Sequence, residues 1–334
     1  MNFKVSIIIP FQKENDYLTE TIYNIDKLNY KNIEVLLLPD FGIEDIFIVK
    51  YLSNINFEYK IVSTDAVSPA IKRDIGASKC TGNILAFIDD DAYPKSDWLD
   101  NLLVHFEDKN VCAVGGPQIT PENDTFWQKV SGAMFLSVLN GKAVDRYWSG
   151  ITSYEVDDWP SVNLLVKKED FLAIDGFDNS YWPGEDTKLC HDLVQTGKKI
   201  IYEPQAIVYH HRRSGFKRHM RQVGNYGLHR GHFAKKYPET SLKLQYIIPS
   251  LFFIFVVAGW LMIPISQFTS AFYIVLCLLY IFAITISTIS INNKLKNVNI
   301  SLCTIPYIVG THFWYGYKFI KGYFTNNIKE SLGR

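Results

Sequence analysis

The 334-residue chain carries no net formal charge, with 34 Lys and Arg against 34 Asp and Glu. That balance excludes a nucleic-acid binder working through an overall positive field. Cysteine is scarce and scattered: Cys80, Cys112, Cys190, Cys277 and Cys303 are odd in number and never form a C-x-x-C pair. A disulfide framework and a zinc site of that type are excluded, and a reducing compartment is expected. The first apolar run, residues 5–9, stops at Pro10 and is too short for a secretory leader, so it reads as a buried strand and the catalytic part is expected in the cytoplasm. No repeat or low-complexity stretch occurs. Two absences are local: residues 210–236 contain no acid, and residues 244–293 contain no charge at all.

What is present is a core-forming composition, 48% apolar and 15% aromatic, in a chain long enough for one large domain with an appendage or for two modest domains. Residues 5–9, 33–38, 59–63, 84–88 and 111–114 are short apolar runs. Between them, 16–28, 44–53, 68–79 and 96–106 show helical spacing. Nearly continuous apolar strands separated by helices predict a parallel sheet covered on both faces, an α/β doubly wound domain whose ligands bind at the carboxyl ends of its strands. A second block, 126–209, adds aromatic-rich irregular segments, strand patterns at 161–166, 199–202 and 206–209, and a helix at 185–195.

The uncharged run predicts two membrane spans, 246–265 and 271–291, joined by a turn at Pro264 and residues 266–270. Lys235, Lys236 and Lys243 precede the pair, Lys294 and Lys296 follow it, and the turn has none, so both ends are expected in the cytoplasm. Residues 300–319 are apolar but rich in interfacial aromatics; they either span or lie in the headgroup layer. The preceding basic segment, 216–237, reads as an amphipathic interfacial helix that Gly224, Gly227 and Gly231 are expected to interrupt. Its arginines serve membrane adhesion or grip the phosphate of an acceptor.

The strongest chemical signal is Phe87-Ile88-Asp89-Asp90-Asp91-Ala92-Tyr93-Pro94. A buried strand delivers three carboxylates to its carboxyl end, and clustered carboxylates repel unless a hard cation such as Mg²⁺ or Mn²⁺ joins them. A solvated acidic turn would look the same locally. Gly184-Glu185-Asp186 opens a helix, where an acid either matches the helix dipole or supplies a general base. His210 is either a metal ligand or a hydrogen-bonded strand end. Trp148, Trp159 and Trp182 either stack on sugar rings or fill the core.

Together these motifs resemble family 2 glycosyltransferases of the GT-A fold over residues 3–210. The resemblance rests on Val5-Ser6-Ile7-Ile8-Ile9-Pro10, Ala70-Ile71-Lys72-Arg73-Asp74-Ile75-Gly76-Ala77, Asp89 to Asp91, Asn163 through Gly176-Phe177-Asp178, and Gly184-Glu185-Asp186. It implies a Rossmann-like, mostly parallel catalytic domain over 1–210, followed by an interfacial segment (211–243), a transmembrane hairpin (244–293) and a third transmembrane or interfacial helix (300–324). It further implies a nucleotide-sugar donor held by Pro10, Gln12, Glu14, Asp40, Arg73, Asp89 and Asp90, with Asp90 open to being only a neighbour on the strand's other face. The metal ligand implied is Asp91, with His210 as a candidate. Asp186 is implied as the catalytic base positioned by Glu185, and an Asn usual in the family is replaced by Asp74. Trp159, Trp182, Arg212 and Arg213 are the acceptor-side candidates. The implied reaction is inverting transfer to a hydroxyl of a membrane or lipid-linked acceptor, with no nucleic-acid partner. A polyprenyl-phosphate sugar synthase and a non-catalytic, membrane-tethered sugar-nucleotide binder are the competing expectations.

Overall fold

A computed structural model describes residues 3–177, 181 and 183–326. The chain runs β1 (Val5–Pro10), α1 (Asp16–Asp26), β2 (Ile33–Leu38), β3 (Glu58–Ile61), α2 (Pro69–Lys79), β4 (Ile84–Phe87), β5 (Ala92–Pro94), α3 (Trp98–Leu103), β6 (Val111–Gly115) and β7 (Gln118–Ile119). It continues through α4 (Phe126–Met134), β8 (Tyr154–Val156), β9 (Leu164–Lys167), α5 (Glu185–Gln195), β10 (Lys199–Tyr202) and β11 (Val208–His210). Then come the long helices α6 (Phe216–Lys236), α7 (Leu244–Ala258), α8 (Gln267–Leu295) and α9 (Ile305–Phe324). The described residues separate into two compact units, 3–119 with 148–211, and 120–147 with 212–326.

The first unit is built on an eight-stranded sheet ordered β3-β2-β1-β4-β9-β6-β10-β8. Alternation along each central strand feeds two apolar layers. Val5, Ile7 and Ile9 of β1 join Val35 and Leu37 of β2 in one, while Ile8 joins Leu36 and Leu38 in the other. A strand buried on both faces therefore reads as an unbroken apolar run. β1 pairs in parallel with β2 and β4, β2 with β3, and β6 with β10. Within this mostly parallel sheet β9 runs the other way, antiparallel between β4 and β6, as β8 does beside β10. Strand direction leaves no mark on a doubly buried run, so composition had no means of showing this. A smaller sheet, β5-β11-β7, joins strands distant in sequence.

Glu34 places a charge inside the sheet. Glu34, 2% exposed, accepts from the Ser6 hydroxyl (2.7 Å), the Thr81 N–H (2.5 Å) and hydroxyl (2.9 Å), and the Gly82 N–H (3.0 Å). Burial pushes its pKa up, but these donors outweigh that and bring it down from 4.5 to about 2. The stabilisation is therefore complete above 4.5 and is lost as pH falls toward about 2. Glu34→Ala removes the charged acceptor that these donors share and should cost about 2–3 kcal/mol. Thermal unfolding of wild type and variant checks this, and the gap should narrow in acid; a gap constant with pH would refute the ionised network.

In the second unit, α6 is one continuous helix of 21 residues. The expected interruption at its glycines does not occur. Instead they lie where α9 comes closest: a Cβ on Gly227 would meet the Tyr315 carbonyl oxygen at 2.6 Å, and one on Gly231 would overlap that of Phe319. From the other side Gly322 abuts the Leu228 carbonyl. Each glycine costs about 1 kcal/mol of helix propensity, offset by backbone-to-backbone packing of the kind small residues permit. His219 is fully buried and bridges α4 to α9, with Nδ1 2.8 Å from the Ser131 hydroxyl and Nε2 3.0 Å from that of Thr311. Burial pushes its pKa down to about 3, so it stays neutral.

Among the described residues, Leu244–Met262 and Gln267–Leu295 are long and apolar enough to cross a membrane. Leu251, Ile254, Leu278 and Phe282 are each at least half exposed. A buried soluble helix pair would hide such side chains, so this apolar surface calls for an apolar surrounding.

Candidate active site

The strand ends assemble the site. β4 stops at Phe87, so Asp89, Asp90 and Asp91 emerge at its carboxyl end. Asp91 leads into β5, whose antiparallel pairing with β11 sets Ala92 opposite His210. That register brings His210 Nε2 within 3.2 Å of Asp91 Oδ1. A backbone bond of 3.0 Å from the His211 N–H to the Asp91 carbonyl fixes the crossing. One ligand atom each from Asp89, Asp91 and His210 lies within 4.8 Å of the other two.

The donor set can be tested chemically. His210 Nδ1 lies 2.6 Å from Gln118 Oε1, a contact that places the proton on Nδ1 and turns the Nε2 lone pair toward Asp91. An imidazole lone pair aimed at a carboxylate oxygen is repulsive until a cation sits between them. A second-sphere acceptor on the far nitrogen is the usual arrangement of ligating histidines. Two carboxylates and one imidazole suit a hard or borderline divalent ion such as Mg²⁺ or Mn²⁺, so these residues fit the implied metal.

Arg73, whose side chain is 3% exposed, links this cluster to α5: one terminal nitrogen donates to Asp89 Oδ1 (2.7 Å) and the other to Glu185 Oε1 (3.3 Å). Its guanidinium lies over the Phe177 ring at 5.6 Å. Glu185 Oε2 accepts from the Gly184 N–H at 3.0 Å. Gly184 has φ of 124°, a backbone only glycine adopts without strain. Burial, followed by the charge of Asp186, pushes the Glu185 pKa up, and Arg73 pulls it back. Asp186 Oδ1 accepts from the Thr187 N–H (2.8 Å) at the start of the helix.

The nucleotide-side candidates cluster where β1 and β2 end. Pro10 closes β1, the Gln12 carbonyl accepts the Asp40 N–H at 3.2 Å, and Glu14 Oε1 accepts the Glu44 N–H at 2.7 Å. Asp40 forms an ion pair with Lys72, which also donates to the carbonyls of Phe11 (2.5 Å) and Leu38 (3.2 Å). Lys72, Gln118 and Asn15 went unnoticed in the sequence. Lys72 had a signal, a lysine on the apolar face of α2; Gln118 had none, since its partner is 92 residues away.

Several expectations need correction or placement. Asp90 is buried in the turn between β4 and β5 and accepts from Asn15 Nδ2 (2.9 Å), the residue that caps α1. Trp159 is core rather than a sugar platform: it is 2% exposed, its indole N–H donates to the Gly116 carbonyl (2.9 Å), and its ring packs 4.8 Å from Tyr202. Asp74 holds the Phe177 N–H at 3.0 Å. Asn163 is fully buried, donating to the carbonyls of Pro117 and Ala206 and accepting from the Trp98 indole. Trp182 and Asp178 lie outside the described residues. Arg212 belongs to the second unit, its Nε donating to the Thr120 hydroxyl (3.1 Å) and its guanidinium 5.1 Å from the Tyr147 ring. Arg213 is half-buried in the same unit.

Several known proteins resemble this chain. Residues 6–162 match the family described as Glycosyl transferase family 2. The pre-mycofactocin glycosyltransferase of Mycobacterium tuberculosis is 28% identical over 181 residues, covering 53% of this chain but only 37% of that relative. A Methanococcus voltae protein is 24% identical over 343 residues, covering 98% of this chain and 99% of its own. Its name is dolichyl N-acetyl-α-D-glucosaminyl phosphate 3-β-D-2,3-diacetamido-2,3-dideoxy-β-D-glucuronosyltransferase. The mannosyltransferase PcManGT of Pyrobaculum calidifontis, solved with GDP-Man and Mn²⁺, aligns over 92% of this chain and 88% of its own, at a TM-score of 0.63 and 16% identity. That structure shares the fold. Residues 6–162 thus form a family 2 glycosyltransferase domain, and the chain shares the GT-A fold.

Proposed function

We propose that this enzyme is a metal-dependent, inverting glycosyltransferase acting at a membrane. It moves a sugar from a nucleotide donor to a hydroxyl of a membrane or lipid-linked acceptor, in the assembly of a cell-surface glycan or glycoconjugate. The observation carrying this reading is Arg73, which ties the Asp89–Asp91–His210 cluster to Glu185 and so sets a cation site beside a candidate base.

Asp40, braced by Lys72, recognises the base, and the loop of Pro10, Gln12 and Glu14 borders the nucleotide. Asp89 faces the ribose and donor sugar, while Asp91 and His210 would hold Mg²⁺ or Mn²⁺, which when bound would supply positive charge beside the departing diphosphate. Asp186 takes the proton of the acceptor hydroxyl as its oxygen attacks the anomeric carbon. The bond from that carbon to the diphosphate oxygen breaks on the opposite face, and one displacement inverts the configuration. Glu185 orients Arg73. Arg212 and Arg213 are placed on the acceptor phosphate, and Trp182 remains a candidate sugar platform.

A hydroxyl acceptor is favoured over a polyprenyl phosphate because a phosphate needs no base, whereas Asp186 stands at the site. The full-length archaeal relative, named for a sugar on dolichyl phosphate, supports the same choice. The uncharged helix pair anchors the chain, and the lysines flanking it put both ends, with the catalytic domain, in the cytoplasm. A screen of UDP-, GDP- and dTDP-sugars with Mn²⁺ and membrane extract, scored by nucleotide release, tests the proposal. One donor should turn over; turnover with none would sink it.

A further inference from the structure

The turn that carries the acidic triplet is held from behind by α1, through side chains that take no part in the proposed displacement. Asp89 to Ala92 make one turn, closed by the Ala92 N–H on the Asp89 carbonyl (3.2 Å). Asn15 caps α1 by accepting the Leu18 N–H at Oδ1 (2.9 Å), and its Nδ2 donates to Asp90 Oδ2 (2.9 Å). One residue thus fixes both the start of the helix and the middle of the turn. Thr21, fully buried, donates its hydroxyl to the Ala92 carbonyl (2.7 Å). Asp91, the implied metal ligand, stands between these two fastenings.

The second ligand segment is gripped by the same helix. His211 follows His210 and donates its N–H to the Asp91 carbonyl (3.0 Å). Its Nε2 donates to Glu20 Oε2 (2.9 Å), and its ring stacks on Tyr17 with centroids 4.3 Å apart. Tyr17, Glu20 and Thr21 are three and four residues apart, so one face of α1 meets both segments. The aromatic column runs on through Tyr93, 5.8 Å from His211, to Tyr209, 5.1 Å from Tyr93. All of these residues belong to the first unit.

The hold matters because of what it opposes. Two carboxylates and an imidazole lone pair turned toward one point repel one another, and His210 Nε2 stands only 3.2 Å from Asp91 Oδ1. A loosely held turn would relax outward, and a cation that had to draw the ligands together again would bind less tightly. Hydrogen bonds that fix the ligands of a metal site from outside are typically worth about 10- to 100-fold in affinity. We propose that Asn15 and Glu20 are positioning residues, which through Asp90 and His211 preset the spacing of Asp91 and His210 and so set the affinity of the site for Mg²⁺ or Mn²⁺. This rests on the reading of Asp89, Asp91 and His210 as the cation site.

The test titrates the purified full chain with Mn²⁺ and follows the free ion by electron paramagnetic resonance, so that no donor or turnover is needed. Asn15→Ser keeps a capping hydroxyl for α1 but withdraws the donor from Asp90. Glu20→Ala removes the acceptor of His211, whereas Glu20→Gln removes the charge and keeps an acceptor oxygen. Both positions are half-buried, and melting temperatures in metal-free buffer show that each variant is folded. Asn15→Ser and Glu20→Ala should each weaken Mn²⁺ binding by about 10- to 100-fold, while Glu20→Gln should bind nearly as well as wild type. Unchanged affinity in either of the first two overturns the positioning role of that residue and leaves the cation site standing. Equal losses in Glu20→Ala and Glu20→Gln overturn it for Glu20, since charge alone then accounts for the effect. A wild type that binds no Mn²⁺ overturns the cation site itself, and the positioning with it.

Discussion

Asp91→Ala is expected to lower turnover by on the order of 10³-fold, among the largest effects of a single substitution in this enzyme. Asp91 is 6% exposed and faces both Asp89 and His210. Its removal leaves one carboxylate and one imidazole, too few protein ligands to hold a divalent ion against water at ordinary concentrations. The stabilisation of the leaving diphosphate goes with it. Nucleotide release at saturating donor measures the loss, and Mn²⁺ titration of the purified protein reads the site without turnover. The variant should lose both, with its melting temperature in metal-free buffer little changed. Retention of Mn²⁺ binding would show that the ion sits elsewhere.

Asp186→Asn follows closely, with an expected loss of 10²- to 10⁴-fold, the usual worth of a positioned general base. Donor binding should be spared, because the nearest donor-side carboxylates are untouched. Survival of activity would instead identify a phosphate acceptor that needs no deprotonation. The same pair gives a pH dependence. Burial and the neighbouring Asp186 charge raise the Glu185 pKa. Below that raised value Glu185 is uncharged and its ion pair with Arg73 is lost. The acid limb of the rate profile should therefore lie above the ordinary glutamate value of about 4.3. The stability sign is opposite: a raised carboxylate favours the fold at low pH and costs stability as pH rises through it. Glu185 is thus a functional charge held at some expense to the fold, reduced by Arg73.

The strands were legible because residues such as Ile7, Ile8 and Ile9 are apolar on both faces, and the acidic triplet because it follows such a strand directly. The antiparallel setting of β9 was not legible, since backbone direction leaves no trace in a buried run. Trp159 could not be told from a binding-site tryptophan, because burial depends on Tyr202 and Gly115 meeting it from other strands. The glycines of α6 were misread as breaks. A glycine weakens an isolated helix, and only the presence of α9 shows what its missing side chain permits. Gln118 escaped because it acts on a partner, His210, that folding alone brings near.

The grouping of residues 120–147 with the C-terminal helices has a consequence for synthesis. This stretch leaves the ribosome before β8, β9 and β10, yet its partners, Ser287 for Ser137 and Thr311 through His219 for Ser131, come far later. The nascent chain must carry α4 uncovered until those helices are made, a long-range contact formed last and slowly. A fragment ending at His211 would stay in that state permanently. Anyone seeking a soluble catalytic domain should expect such a truncation to aggregate, and should replace the exposed apolar residues of 120–147 along with removing the membrane helices.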